Sequence, residues 1–165
     1  MHSIIKVTTT EQIKQLAELA SKIWHEYFTS LLTAKQIDYM VDKFQSEHAM
    51  KDQMQNQNYE YYFLDVDGQI VGYTGIKPED DKLFLSKLYI QKEYRKHGYS
   101  HLMFDFIIDL CKNRKLKSIY LTVNKYNDGS IAVYNKKGFK NIRSQVTDIG
   151  SGFVMDDYVF ELEVK

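Results

Sequence analysis

Asp67-Gly68 stands between two aromatic and β-branched runs, Tyr59–Val66 and Gln69–Ile76. An Asp-Gly pair suits the two left-handed positions of a tight hairpin, so the flanking runs are predicted to pair antiparallel. A third run, Leu83–Ile90, follows the polar turn Lys77-Pro78-Glu79-Asp80-Asp81, which makes the middle of the chain an antiparallel meander. On either side the hydrophobic period lengthens to helical spacing. A short strand, Ile4–Thr8, comes first. Ile13, Leu16, Ala17, Ala20, Ile23, Trp24 and Tyr27 then mark a helix, with Thr9 and Gln12 placed as a capping box. A second helix opens at Thr33, with Gln36 three residues on, and carries Ile37, Met40, Val41 and Phe44 on towards Met54. After the meander, a helix from Gly98 to about Arg114 carries the stripe Leu102, Phe104, Phe106, Ile107, Ile108, Leu110 and Cys111. Ser118–Val123 reads as a buried strand. Asn127 caps a short helix, Asp128–Lys137, that stops at Gly138. Phe139–Thr147 and Val154–Val164 close the chain as strands.

The order βαα, βββ, α, β, α, ββ defines an α+β (mixed α/β) domain, with about seven mostly antiparallel strands flanked by about four helices. The strand ending at Ile90, the Gly98 helix and the Ser118 strand form a β-α-β unit, which predicts one parallel pair. A length of 165 residues suits a single domain over 1–165, and no repeat or linker interrupts it. Lys+Arg and Asp+Glu are both 22, which argues against a sequence-independent nucleic-acid binder. The single cysteine, Cys111, excludes a disulfide framework and a multi-cysteine zinc site. His25 and His48 lack a second ligand at metal spacing, and His97 and His101, spaced i, i+4 on the Gly98 helix, read as a pair facing solvent or phosphate ahead of a two-histidine site, so no metal is expected. No apolar run reaches the roughly 18 residues of a membrane span, and the first residues lack a signal-peptide pattern, so the expected location is the cytoplasm.

Two stretches carry chemistry. In Leu88-Tyr89-Ile90-Gln-Lys-Glu-Tyr-Arg95-Lys96-His97-Gly98-Tyr99-Ser100, a strand ends, a basic loop follows and a helix begins. Helix N-termini present unpaired N–H groups with partial positive charge, and a phosphate or pyrophosphate fits there. In the second stretch, Asn127 starts a helix and Tyr134 follows two turns in, ahead of Gly138-Phe139. A P-loop and a dinucleotide fingerprint both fail, for want of a Lys-Ser/Thr pair and of three spaced glycines.

Together the two stretches resemble the GCN5-related N-acetyltransferase (GNAT) superfamily. Its acetyl-CoA signature, Gln/Arg-x-x-Gly-x-Gly/Ala, reads here Arg95-Lys96-His97-Gly98-Tyr99-Ser100. Its later pattern, Asn-x-x-Ala-x-x-x-Tyr-x-x-x-Gly-Phe, reads Asn127, Ser130, Tyr134 and Gly138-Phe139. Ser100 and Ser130 depart from the pattern, but both are small.

The resemblance implies acetyl-CoA as co-substrate. The backbone of Leu88, Tyr89 and Ile90 would hold the pantetheine arm and face the acetyl carbonyl. The N–H groups from Lys96 to Ser100, with charge from Arg95 and Lys96, would hold the pyrophosphate. Asn127 would bond the pantetheine chain, and Tyr134 would return a proton to the departing thiolate. Some relatives carry an acidic base on the fourth strand, where Ser86-Lys87 stand here. The remaining candidates are Glu26, Glu60 and Asp156-Asp157, whose pattern reads as solvated surface. Trp24, His25, Glu26, Tyr27, Phe28, Phe153, Asp156, Asp157 and Tyr158 would shape the acceptor cleft, and aromatic faces with carboxylates suit a cation. The implied acceptor is a small cationic amine such as a polyamine, since the chain is also loosely similar to bacterial spermidine/spermine-type members. A peptide or protein amine, or a non-catalytic acyl-CoA-binding module, are the alternatives. Exposed strand edges would admit a homodimer.

Overall fold

A computed structural model describes residues 1–164. Its elements are β1 (His2–Lys6), α1 (Thr10–Tyr27), α2 (Ala34–Phe44), α3 (Glu47–Asn56), β2 (Glu60–Val66), β3 (Gln69–Glu79), β4 (Lys82–Ile90), α4 (Tyr99–Asn113), β5 (Ser118–Asn124), α5 (Asp128–Lys136), β6 (Lys140–Gly150) and β7 (Phe153–Glu163). The seven strands form one sheet in the order β1-β2-β3-β4-β5-β7-β6. The hairpin closes as expected, with Val66 opposite Gln69 and both Asp67 and Gly68 left-handed. The predicted parallel pair is β4 with β5, in register from Lys82↔Ser118 to Phe84↔Tyr120.

The second predicted helix is in fact two, which raises the helix number from about four to five. The Ser46 hydroxyl accepts the N–H of Ala49 at 3.1 Å and starts α3 afresh, so the chain leaves α2 at Gln45. Ser46 is the cap signal that the running apolar pattern obscures. β3 continues through Pro78 to Glu79, and the turn shrinks to Asp80-Asp81, where Asp80 has φ +43°. On α4 the buried positions are Met103, Phe104, Ile107 and Cys111, not the broader stripe read from the sequence. His97 lies ahead of α4, so the His97/His101 pair does not share a helix.

The chain divides into two compact units. One comprises Met1–Lys77 with Lys87–Ile107; the other comprises Pro78–Ser86 with the chain from Ile108 onward. β4 and α4 therefore contribute to both. In the first unit the capping box forms: the Thr9 hydroxyl accepts from Gln12 N at 3.1 Å, and Gln12 Oε1 accepts from Thr9 N at 3.0 Å. The helix it starts buries Ile13, Leu16, Leu19, Ala20, Ile23 and Trp24. Most of these share a cluster with Val7, Met50, Tyr61, Phe63 and Tyr73. Each such large side chain contributes roughly 1.5–3 kcal/mol by leaving water. A second cluster joins Leu64, Val71, Ile90 and Met103. In the second unit, Leu83, Ile119, Leu121, Val123, Phe139, Val159 and Phe160 are buried. Among the described residues no helix is long and apolar enough to cross a membrane.

Candidate active site

The basic loop belongs to the first unit. After a short 3-10 turn, Lys92–Tyr94, Lys96 takes φ +66° and Gly98 φ +81°, and α4 starts at Tyr99. A loop with left-handed residues can form an anion-binding nest, in which successive backbone N–H groups line one concavity. A Cβ added at Gly98 would meet nothing within 4 Å, so the loop is open there. Lys96 and His97 are exposed, and the His97 ring lies 6.0 Å from that of Tyr99. Arg95 points elsewhere. Its Nε donates to the Ile90 carbonyl at 2.9 Å, and its guanidinium lies 4.7 Å from the centre of the Tyr27 ring. Arg95 thus braces the loop against α1 and β4, with Nη2 buried and lacking a hydrogen-bond partner.

Leu88, Tyr89 and Ile90 commit their side chains to the core. Leu88 and Ile90 pack with Leu64, Val71 and Met103. Tyr89 sits among Trp24, Phe28 and Tyr73, with ring centres 5.7–6.0 Å away. Gly72 lets this strand approach closely, since a Cβ there would lie 2.5 Å from the Tyr89 carbonyl oxygen. Ile90 is buried, and Leu88 and Tyr89 are partly buried.

In the second unit, the Asn127 side chain caps α5, accepting from Ser130 N at 3.3 Å. Tyr134 is half-buried, its ring 5.7 Å from Phe139 and 6.2 Å from Phe160. The Phe139 N–H donates to the Tyr134 carbonyl at 3.0 Å, which turns the chain from α5 into β6. Asn127 caps the short helix that carries Tyr134.

The sequence reading missed the burial of two ionisable groups. Lys87 on β4 is 6% exposed. Its Nζ donates to the Phe44 carbonyl at 2.9 Å, to Gln53 Oε1 at 3.0 Å and to the Tyr61 hydroxyl. The Phe44 carbonyl is one that the break between α2 and α3 sets free. Burial pushes the Lys87 pKa down to about 7. Asp157 on β7 is 3% exposed, opposite Asn124 of β5 and Gln145 of β6, and its Oδ1 has no hydrogen-bond partner. Burial first, then the neighbouring Asp156, push its pKa up to about 6, against a smaller opposing effect of Lys125. The signal for both was strand alternation: Lys87 is in phase with buried Leu85, and Asp157 with buried Val159.

The other base candidates are engaged or open to water. Glu60 takes the Tyr62 hydroxyl at 2.7 Å and lies 3.6 Å from the Lys6 ammonium. Glu26 is exposed. Asp156 pairs with Lys125 at 2.8 Å. Asp157 is no surface carboxylate. On the expected acceptor side, Trp24 and Phe28 are buried, and His25 binds Asp38 at 2.7 Å, which raises its pKa through that hydrogen bond. Trp24 and Phe28 therefore build core, not an open cation-binding face.

The acetyltransferase (GNAT) domain family matches residues 28–156, and the chain belongs to that family. In structure, the chain is similar to the PaiA N-acetyltransferase from Thermoplasma acidophilum in complex with coenzyme A, at TM-score 0.81 and 18% identity, covering 99% of each chain. It is also similar to the ribosomal-protein-S18-alanine N-acetyltransferase from Escherichia coli, at TM-score 0.75 and 17% identity over 100% of this chain and 95% of that one. In sequence it is 29% identical over 90 residues to the Xenopus laevis protein named "Probable N-acetyltransferase camello", covering 53% of this chain and 41% of the relative. The chain thus spans less than half the length of the curated Xenopus relatives it matches.

Proposed function

We propose that the protein is a cytoplasmic, single-domain enzyme that moves the acetyl group of acetyl-CoA directly to a primary amine. The observation that carries this is the Arg95–Ser100 signature realised as a left-handed loop ahead of α4, in a chain of GNAT family and fold. The pyrophosphate would rest on the N–H groups of Lys96 to Ser100, with Lys96 lending charge. Arg95 would support the loop from behind. The backbone at Leu88–Ile90 would hold the pantetheine arm, and an N–H there would stabilise the developing oxyanion, an effect typically worth about 3 kcal/mol. Asn127 would steady the arm through the turn it caps. Tyr134 would donate its phenolic proton to the departing thiolate.

The acceptor in this reading is a small cationic amine such as a polyamine. A protein amino terminus is the second reading, favoured by the likeness to an alanine N-acetyltransferase of a ribosomal protein. A second copy of the chain would pair along β6, where Ile142 and Val146 are exposed. Thermal-shift titration tests the cofactor site, since a ligand that binds only the folded state raises the melting temperature. Acetyl-CoA and CoA should raise it and NAD should not. No shift with either CoA species would overturn the reading. An amine panel of spermidine and an alanine-ended peptide then decides the acceptor. Tyr134→Phe should lose turnover while keeping acetyl-CoA affinity, whereas unchanged turnover would leave a packing role only.

A further inference from the structure

We propose that Asp157 is the catalytic base, the carboxylate that meets the acceptor's ammonium group and takes its proton; this rests on the acetyltransferase reading above. A carboxylate removed from water is strongly disfavoured unless hydrogen bonds or a cation compensate it. Asp157 is buried, yet its Oδ1 has no hydrogen-bond partner. The charged group that shares its face across the strands is Arg143 of β6, which lies opposite Val159 and is exposed to water. Asn124 on β5 and Gln145 on β6 are neutral amides, and Asp156 on its own strand is ion-paired with Lys125 of the β5–α5 connection. With all three ionised, Asp156, Asp157 and Lys125 sum to one negative charge. A single ammonium complements that charge and supplies the missing donor.

The placement suits the chemistry. Phe160 shares its face of β7 with the ring of Tyr134, and Asp157, an odd number of residues away, projects to the other face. Asn124, opposite Asp157 on β5, accepts the Asn127 N–H on its carbonyl at 3.0 Å, so Asp157 lies beside the start of the helix that carries Tyr134. A Lys-like amine is protonated at neutral pH, with a pKa near 10.4, and cannot attack in that form. Asp157 removes one proton from R–NH3+ and passes it to solvent. The freed amine forms the C–N bond, and the C–S bond breaks with its electron pair on sulfur. Tyr134 protonates that sulfur and recovers the second proton from the nitrogen, leaving the amide with the third. The sum is R–NH3+ plus acetyl-CoA giving R–NH–acetyl, CoA thiol and one proton. A base with a pKa near 6 is ionised at neutral pH and close enough to it to accept protons effectively.

The test is Asp157→Asn, which keeps shape and removes basicity. Wild type and variant are first titrated with acetyl-CoA by thermal shift, then assayed by thiol release with spermidine and with the alanine-ended peptide from pH 5 to 8. The expected result is unchanged acetyl-CoA affinity, kcat/KM lower by roughly 100-fold or more, and loss of the acid limb centred near pH 6. Retained kcat/KM with the limb intact would overturn the base role while leaving the acetyltransferase reading standing. Failure of wild type to bind acetyl-CoA would instead sink that reading. Should the variant not fold, or neither amine be turned over, a carbon-13 titration of the wild-type Asp157 carboxyl decides. A midpoint near 6 that falls when spermidine is added supports an ammonium partner. An ordinary aspartate midpoint near 4, or one that neither amine moves, overturns it.

Discussion

Lys87 and Asp157 both lie on strands, both are almost wholly shielded from water, and burial pushes both pKa values towards the neutral form. Their surroundings differ. Lys87 has three acceptors for its three N–H groups, drawn from α2, α3 and β2. Those acceptors also bond one another: Gln53 Nε2 donates to the Phe44 carbonyl at 3.1 Å, and the Tyr61 hydroxyl donates to Gln53 Oε1. Asp157 has neutral amides opposite it and an oxygen left unpaired. A completed network ties the α2–α3 corner to β4 and leaves nothing for a ligand to add. An incomplete one keeps a position for an incoming donor.

That contrast can be broken at either end. The largest effect should come from Asp157→Asn, with the roughly 100-fold or greater loss of kcat/KM given above and no loss of melting temperature. Tyr134→Phe should follow, at about 100-fold in kcat with acetyl-CoA affinity kept, by thiol-release kinetics. Within the lysine network, Gln53→Ala strips one acceptor from Lys87 and the partner of Tyr61, and should cost about 3 kcal/mol in urea unfolding. Lys87→Met should cost far less, because the Phe44 carbonyl, Gln53 and Tyr61 still bond one another; a loss as large as that of Gln53→Ala would contradict this. Ser46→Ala removes the cap of α3 and should cost about 1 kcal/mol.

The pH dependence of stability separates the two ions further. Asp157 binds its proton more tightly folded than unfolded, so wild type should lose stability relative to Asp157→Asn as pH rises from about 4 to about 6, and be level above that. Lys87 binds its proton less tightly folded, so wild type should gain on Lys87→Met as pH rises from about 7 to about 10.5. Denaturant midpoints across both windows check the two signs, and parallel curves for wild type and variant would contradict them.

Local signals made most of the fold legible. Asp67-Gly68 fixed a hairpin, Thr9 and Gln12 a helix start, and the β-α-β order the single parallel pair. The break at Gln45-Ser46 was hidden because apolar spacing continues across it, and only the Ser46 cap marks it. The loop and Tyr134 were legible as motifs because each motif lies within one strand-loop-helix or helix-turn stretch. The contact of Arg95 with Tyr27 was not legible, since the two residues are far apart in sequence. The burial of Asp157 was missed for the same reason: its strand partners on β5 and β6 are set by tertiary pairing, and an Asp-Asp pair in a strand looks solvated until its neighbours are known.

The central claim is that this chain transfers acetyl from acetyl-CoA to an amine. The most direct measurement counts free thiol and acetylated amine together, in one reaction of enzyme, acetyl-CoA and spermidine or the alanine-ended peptide. The account predicts one thiol released per amine acetylated with at least one of the two acceptors, and neither product without enzyme. Acetyl-CoA bound tightly with neither thiol nor acetylated amine formed would contradict it and leave an acyl-CoA-binding module.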